Sequence, residues 1–202
     1  MSKELWIKIC GLTTPESVAA AVRARVDAVG FVFAPSKRQV TPQRATQLCA
    51  GVPASIARVA VMQHPTQAQL DEVLAVFRPD ILQTDNEDLA MLDIDSSLHI
   101  HPVVRAGRAL PLSLPRRILF EGPVSGAGTT ADWTQAADLA RRTELILAGG
   151  LNAENVSEAV RIVNPFGVDV SSGVESSPGI KDPALVMRFV SSARESQDVL
   201  VV

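Results

Sequence analysis

The apolar residues of this chain fall in short runs rich in valine and isoleucine: LWIKIC, AVGFVF, IARVAVM, DILQ, LHIHPVV, RILFE, LILAGG and FGVDVSSG. Near-continuous apolarity over so few residues predicts strands buried on both faces, as in a parallel sheet covered by helices. The segments between carry helix-start signals. Thr14-Pro15, Thr41-Pro42 and Asp182-Pro183 each set an N-capping residue before a proline at the first helical position, and Thr66 with Gln69 makes a capping box. Leu70, Val73, Leu74 and Phe77 recur at helical spacing, as do Val186, Phe189, Val190 and Ala193, so each of these helices presents one apolar stripe.

Eight strands alternating with helices, with no linker-like Gly/Ser or charged tract between halves, predict an α/β fold, a single (β/α)8 TIM barrel domain over residues 1–202. The length is at the low end for that architecture. Pro111 and Pro115, within residues 105–117, leave little room for the fifth helix, which is expected to be shortened or missing. A doubly wound sheet would carry a Gly-rich dinucleotide fingerprint after the first strand, and CGLTTPES supplies none.

Composition narrows the partners. A hydrophobic fraction of 47% is ample for a large core, and a net charge of -3 with dispersed lysines and arginines lacks the clustered basic footprint of nucleic-acid or anionic-membrane binding. No run approaches a membrane span, and the apolar run behind the polar first residues is too short for a signal peptide. Two cysteines, Cys10 and Cys49, argue against a disulfide scaffold and fit a reducing, cytoplasmic setting with both thiols free.

Barrel active sites lie at the C-terminal ends of the strands, which directs attention to the last residue of each run and the loop behind it. Cys10 ends the first strand, where it serves either as a small core hydrophobe or, near cations, as a thiolate base or nucleophile. Cys49, read as lying inside the second helix, is expected to be structural. Gly149 and Gly150 precede a helix expected to begin near Asn152, and Ser171, Ser172 and Gly173 follow the eighth strand. These two loops either make tight turns or form the phosphate site common after strands seven and eight. Lys37 and Arg38 follow the second strand as solvated charge or, for Arg38, as a clamp for a carboxylate. Glu121 ends the sixth strand as a salt-bridge partner or as a general acid kept protonated by desolvation. His64, His99 and His101 make no convincing metal spacing, so no metal is expected.

With these residues in view, the chain resembles the phosphoribosylanthranilate isomerases of tryptophan biosynthesis through KICGLT, DAVGFVFAPSKRQV, the ADW after the sixth strand, AGGLNAENV and GVDVSSGVESSPGIKD. The resemblance implies an Amadori rearrangement that converts N-(5'-phosphoribosyl)anthranilate to 1-(o-carboxyphenylamino)-1-deoxyribulose 5-phosphate without cofactor or metal. It implies Cys10 as the base, Glu121 in the place of the general acid, Arg38 facing the anthranilate carboxylate, and Gly149, Gly150, Ser171 and Ser172 at the phosphate. Asp169 falls near the site without an assigned role.

Three departures accompany the resemblance. The acid of the family is usually an aspartate, and here it is Glu121, whose longer side chain must fold back to present its proton. The family's QLHG after the fourth strand reads QTDN, keeping Gln83 and replacing histidine by Asp85. The sixth loop is short before its Gly128 and Trp133 landmarks. Two other readings compete: an isomerase of a different aminoaldose, which would need paired aspartates where Cys10 stands, and a catalytically silent barrel that binds a phosphorylated ligand.

Overall fold

The computed structural model describes residues 4–111, 113–123 and 132–198. Eight parallel strands close into a barrel in chain order: β1 Trp6–Cys10, β2 Ala28–Val32, β3 Ala57–Val61, β4 Ile81–Asp85, β5 His99–Arg105, β6 Arg117–Glu121, β7 Glu144–Leu147 and β8 Gly167–Val170, which pairs back onto β1. Alternate residues of each strand point to opposite faces. Ile7, Ile9, Phe31, Leu82, Phe120 and Leu147 belong to the core layer beneath the helices. Val103, Leu119, Ile146 and Ala148 form a separate cluster with Trp6 and Phe166, and Ala28, Val59 and Ile81 form another that also touches Trp6. Trp6 thus joins the two small clusters at the N-terminal end of β1.

The helix starts follow the capping chemistry. Helices α1 (Pro15–Arg23), α2 (Pro42–Leu48) and α3 (Gln67–Val76) begin behind Thr14, Thr41 and Thr66, each accepting a backbone N–H bond from the third helical residue. Asp132 caps α4 (Trp133–Ala140), and Asp182 accepts from Ala184 and Leu185 at the start of α6 (Pro183–Asp198). Helix α5 (Val156–Val163) starts later than its sequence suggested, because Asn152 Oδ1 accepts from the backbone of Glu154 and Asn155 and holds those residues in a turn.

Among the described residues, two connections between strands lack an α-helix. Among the described residues between β5 and β6 none is helical, as the prolines predicted. The connection from β4 to β5 holds only a six-residue 3-10 helix, Asn86–Met91, a reduction the sequence pattern did not anticipate. β5 also runs farther than expected, to Arg105, which belongs to the strand and not to the loop behind it. After β8, a small antiparallel hairpin of β9 (Glu175–Ser177) and β10 (Ile180–Lys181) folds toward the mouth. Thr13 Oγ1 donates to the carbonyl of Gly179 at its tip (2.7 Å). None of the helices in the described residues is long and apolar enough to cross a membrane.

Candidate active site

Two residues apart on β1, Lys8 and Cys10 share a face, and β2 meets them with Ala28 and Gly30 in register. A Cβ on Gly30 would stand 2.8 Å from Lys8 Cε and 3.1 Å from Cys10 Sγ, so the glycine makes room for both side chains. Lys8 is fully buried, and its ammonium donates to Gln83 Oε1 of β4 (2.9 Å) and Asp169 Oδ2 of β8 (3.0 Å). Burial works against its charge, but Asp169 and Cys10 outweigh burial and raise its pKa. Cys10 is also buried, and burial pushes its thiol up, against the pull of Lys8 and Lys181. Burial therefore favours the Cys10 thiol, while the Lys8 ammonium beside it favours the thiolate.

Glu121 ends β6 with its carboxyl at the mouth, as expected, but it does not stand alone. Its register partner on β5 is Arg105, whose Nη2 lies 3.0 Å from Glu121 Oε1. Arg105 also donates through Nη1 to Asp85 Oδ1 on β4. Glu121 is thus an ion-pair partner, as one of its two readings has it.

Arg38 clamps a carboxylate bidentately, that of Glu175 of β9, at 2.7 Å from Nε and 2.9 Å from Nη2. Gly11 allows this. Its φ is +75°, and a Cβ there would approach Arg38 Cδ to 2.5 Å. Glu175 has a second cation, Lys181 Nζ, at 2.7 Å. Burial alone would raise the pKa of Glu175, but Arg38 and Lys181 together hold it below the usual carboxylate range. Lys181 also donates to the carbonyl and hydroxyl of Ser171, whose hydroxyl donates to the Cys10 carbonyl at 3.0 Å. The Ser171 side chain therefore ties β8 to β1.

Gly149 and Gly150 turn the chain after β7 with φ of +87° and +66°. The β8 loop abuts the segment that follows them, since a Cβ on Gly173 would lie 1.9 Å from the Leu151 carbonyl oxygen. The two loops thus form one continuous wall. Cys10, Arg38, Asp85, Arg105, Glu121, Asp169, Ser171, Ser172 and the glycines after β7 all line a single cavity of about 260 Å³. The residues that the resemblance places at the site are all there, together with Arg105, whereas Lys37 and Gly173 do not line it. Lys8, Glu175 and Lys181 support it from behind. Their only sequence signal was a lysine set between isoleucines two residues before the thiol, and charges in the last motif.

The other candidates separate from this cavity or play lesser parts. His101 is buried against Trp6, with ring centroids 5.5 Å apart, and burial, aided by Arg117, pushes its pKa down to about 3, so it is a neutral filler of the barrel. Cys49 caps the end of α2, half-buried, with its thiol pushed up to about 11. His64 stands between Asp88 (Nδ1 to Oδ1, 2.7 Å) and Asp85 (Nε2 to Oδ2, 3.4 Å). These three could offer a cation one atom each, yet Arg105 and His64 already engage the carboxylates. Gly128 and the shortening of the sixth loop fall outside the described residues; Trp133 begins α4.

Comparison with known proteins agrees with this geometry. Residues 7–192 match the family model described as N-(5'phosphoribosyl)anthranilate (PRA) isomerase. An N-(5'-phosphoribosyl)anthranilate isomerase of Streptococcus pneumoniae (strain Taiwan19F-14) is 38% identical over 192 residues, covering 93% of this chain and 95% of the relative. The crystal structure of TrpF from Jonesia denitrificans superposes with a TM-score of 0.79 at 34% identity, over 96% of this chain and 98% of that one. A phosphoribosyl anthranilate isomerase in complex with reduced 1-(o-carboxyphenylamino)-1-deoxyribulose 5-phosphate superposes with a TM-score of 0.75 at 28% identity, over 95% and 99% of the two chains. On its sequence, its barrel and its cavity, the chain belongs to the N-(5'-phosphoribosyl)anthranilate isomerase family.

Proposed function

We propose that this chain isomerises N-(5'-phosphoribosyl)anthranilate to 1-(o-carboxyphenylamino)-1-deoxyribulose 5-phosphate, as a single cytoplasmic (β/α)8 domain acting on a phosphorylated aminoaldose, with no metal, cofactor, nucleic-acid or membrane partner. The observation that carries the reading is the sharing of one cavity by a thiol from β1, a carboxyl from β6, the Arg38 fork and the two adjoining loops after β7 and β8.

The steps follow from these groups. The Glu121 carboxyl gives its proton to the ribose ring oxygen as the C1'–O4' bond breaks, leaving an open-chain Schiff base. Cys10 reacts from its thiolate form, its thiol proton having first left to solvent; Sγ takes the C2' proton and becomes the thiol, and the electron pair moves to the C1'–N system to give an enolamine. The enolamine tautomerises to the ketone by gaining a proton at C1' from the Cys10 thiol and losing the one on O2' to the Glu121 carboxylate, which restores both groups, so no net proton is consumed. Lys8 stabilises the thiolate that abstraction requires, and the cationic Schiff base adds to that pull.

Binding uses the remaining groups. The anthranilate carboxylate takes Arg38 in exchange for Glu175, which keeps Lys181 as partner and so is never left as a bare buried charge. The phosphate sits against the backbone of Gly149, Gly150, Ser171 and Ser172. Asp169 Oδ1 is buried without a hydrogen-bond partner and serves to accept from a substrate hydroxyl or amine.

The test is conversion of freshly generated N-(5'-phosphoribosyl)anthranilate by the purified protein, followed as loss of anthranilate fluorescence above the spontaneous decay. Turnover supports the isomerase. Tight product binding without turnover would return the silent phosphate-binding barrel.

A further inference from the structure

At the ends of β4, β5 and β6 one guanidinium serves two carboxylates, Asp85 through Nη1 and Glu121 through Nη2. The arrangement is enclosed, since the Asp85 side chain is 1% exposed, that of Arg105 6% and that of Glu121 13%. It is also braced from outside. His64 Nε2 reaches Asp85, its Nδ1 and backbone N–H engage Asp88, and Thr84 Oγ1 donates to Asp88 Oδ2 at 2.7 Å. Asp85 is one of the positions at which this chain departs from the family it resembles, and Glu121 is another.

We propose that Arg105 is a positioning residue for the acid, holding and tuning the Glu121 carboxyl, and that Asp85 is the counter-charge that fixes the guanidinium and limits its pull on the Glu121 proton. This rests on the reading of Glu121 as the general acid. A glutamate has one more rotatable bond than an aspartate, and a misplacement of about 1 Å at a reacting group costs on the order of 100-fold in rate. The planar guanidinium fork, anchored at Asp85, removes that freedom. A guanidinium with Glu121 as its sole anion would also hold the carboxylate ionised, the wrong state for an acid. Sharing the cation with Asp85 weakens that hold.

The charged groups around Glu121 give the sign of the test. β5 supplies Arg105, and β4 supplies Asp85 with His64 and Asp88 behind it. Lys8, Cys10 and Asp169 lie on β1 and β8, and Arg38 follows β2. β7 is followed by Ala148, Gly149 and Gly150, which carry no side-chain charge. Removing the cation must raise the affinity of Glu121 for its proton, and removing Asp85 must lower it.

The experiment is the pH profile of kcat/KM for wild type, Arg105→Gln, Arg105→Lys, Asp85→Asn and the double variant Asp85→Asn/Arg105→Gln, with thermal melting of each. The limb set by Glu121 is expected to move up by about one pH unit in Arg105→Gln and down by about one in Asp85→Asn. The double variant, which keeps the net charge, should return it toward wild type, and Arg105→Lys should keep the limb and recover part of kcat. If Arg105→Gln does not fold, Asp85→Asn and the double variant still carry the test. Limbs that stay put, or move the same way in both single variants, overturn the proposal. Glu121→Gln separates the two readings: if it keeps full turnover, the acid assignment itself fails, whereas loss of turnover there with unmoved limbs in the other variants defeats only the role of Arg105 and Asp85.

Discussion

Lys8 Nζ lies 3.0 Å from Asp169 Oδ2 across the β1–β8 seam, buried beside Gln83 in a barrel interior that also holds Val103, Leu119, Ile146 and His101. A paired but fully enclosed ammonium adds little to stability compared with apolar packing, while breaking such a pair is costly. Its position two residues before Cys10 points instead to chemistry. Lys8→Met is expected to destabilise the fold by about 3–5 kcal/mol and to lower turnover on the order of 100-fold, because Asp169 is left uncompensated and the thiolate loses its nearest cation. Urea unfolding with steady-state kinetics checks both, and a stable, active Lys8→Met would remove Lys8 from the account.

Gly30 makes a separate prediction about space. Gly30→Ala sets a methyl group against Lys8 Cε and Cys10 Sγ. It should cost about 1–3 kcal/mol in stability, as overpacking of a filled interior does, and reduce kcat more than it raises KM.

The Arg38–Glu175 pair predicts a binding effect. Arg38→Lys keeps a charge but loses the fork, and the loss of one charge-assisted hydrogen bond to a carboxylate raises KM about 10-fold with kcat little changed. A fall in kcat at constant KM would assign Arg38 a different role.

Glu175 also predicts a pH dependence of stability. Its folded pKa is depressed by Arg38 and Lys181, so the unfolded chain binds more protons there. The stability it contributes is present above the ordinary glutamate range and is lost as pH falls through that range and below it. Glu175→Gln should therefore flatten the acid side of the stability curve, measured by denaturant unfolding between neutral and acidic pH. An equally steep acid loss in that variant would locate the linkage elsewhere.

Much of this was legible in the chain itself. Runs such as AVGFVF and RILFE gave the barrel strands because burial on both faces leaves a local, apolar signature, and Thr14, Thr41 and Thr66 marked helix starts because capping is decided within three residues. Cys10, Arg38 and Glu121 could be singled out because each ends a strand or opens a loop. Arg105 could not be. Strand β5 was expected to stop before it, and its meaning depends on Asp85 and Glu121, which come together only when the barrel closes. The 3-10 helix after β4 and the hairpin bearing Glu175 and Lys181 were equally hidden, since short polar segments take their shape from side-chain partners distant in sequence.

The central claim is that Cys10 and Glu121 act as base and acid in one cavity. The most direct measurement is single-turnover conversion of N-(5'-phosphoribosyl)anthranilate by Cys10→Ala and Glu121→Gln beside wild type, with binding of the reduced product analogue measured in parallel. Each variant is expected to lose about 100-fold to 10,000-fold in the chemical step while binding the analogue nearly as wild type does. Wild-type turnover in either variant would contradict the account and move that proton transfer to another group.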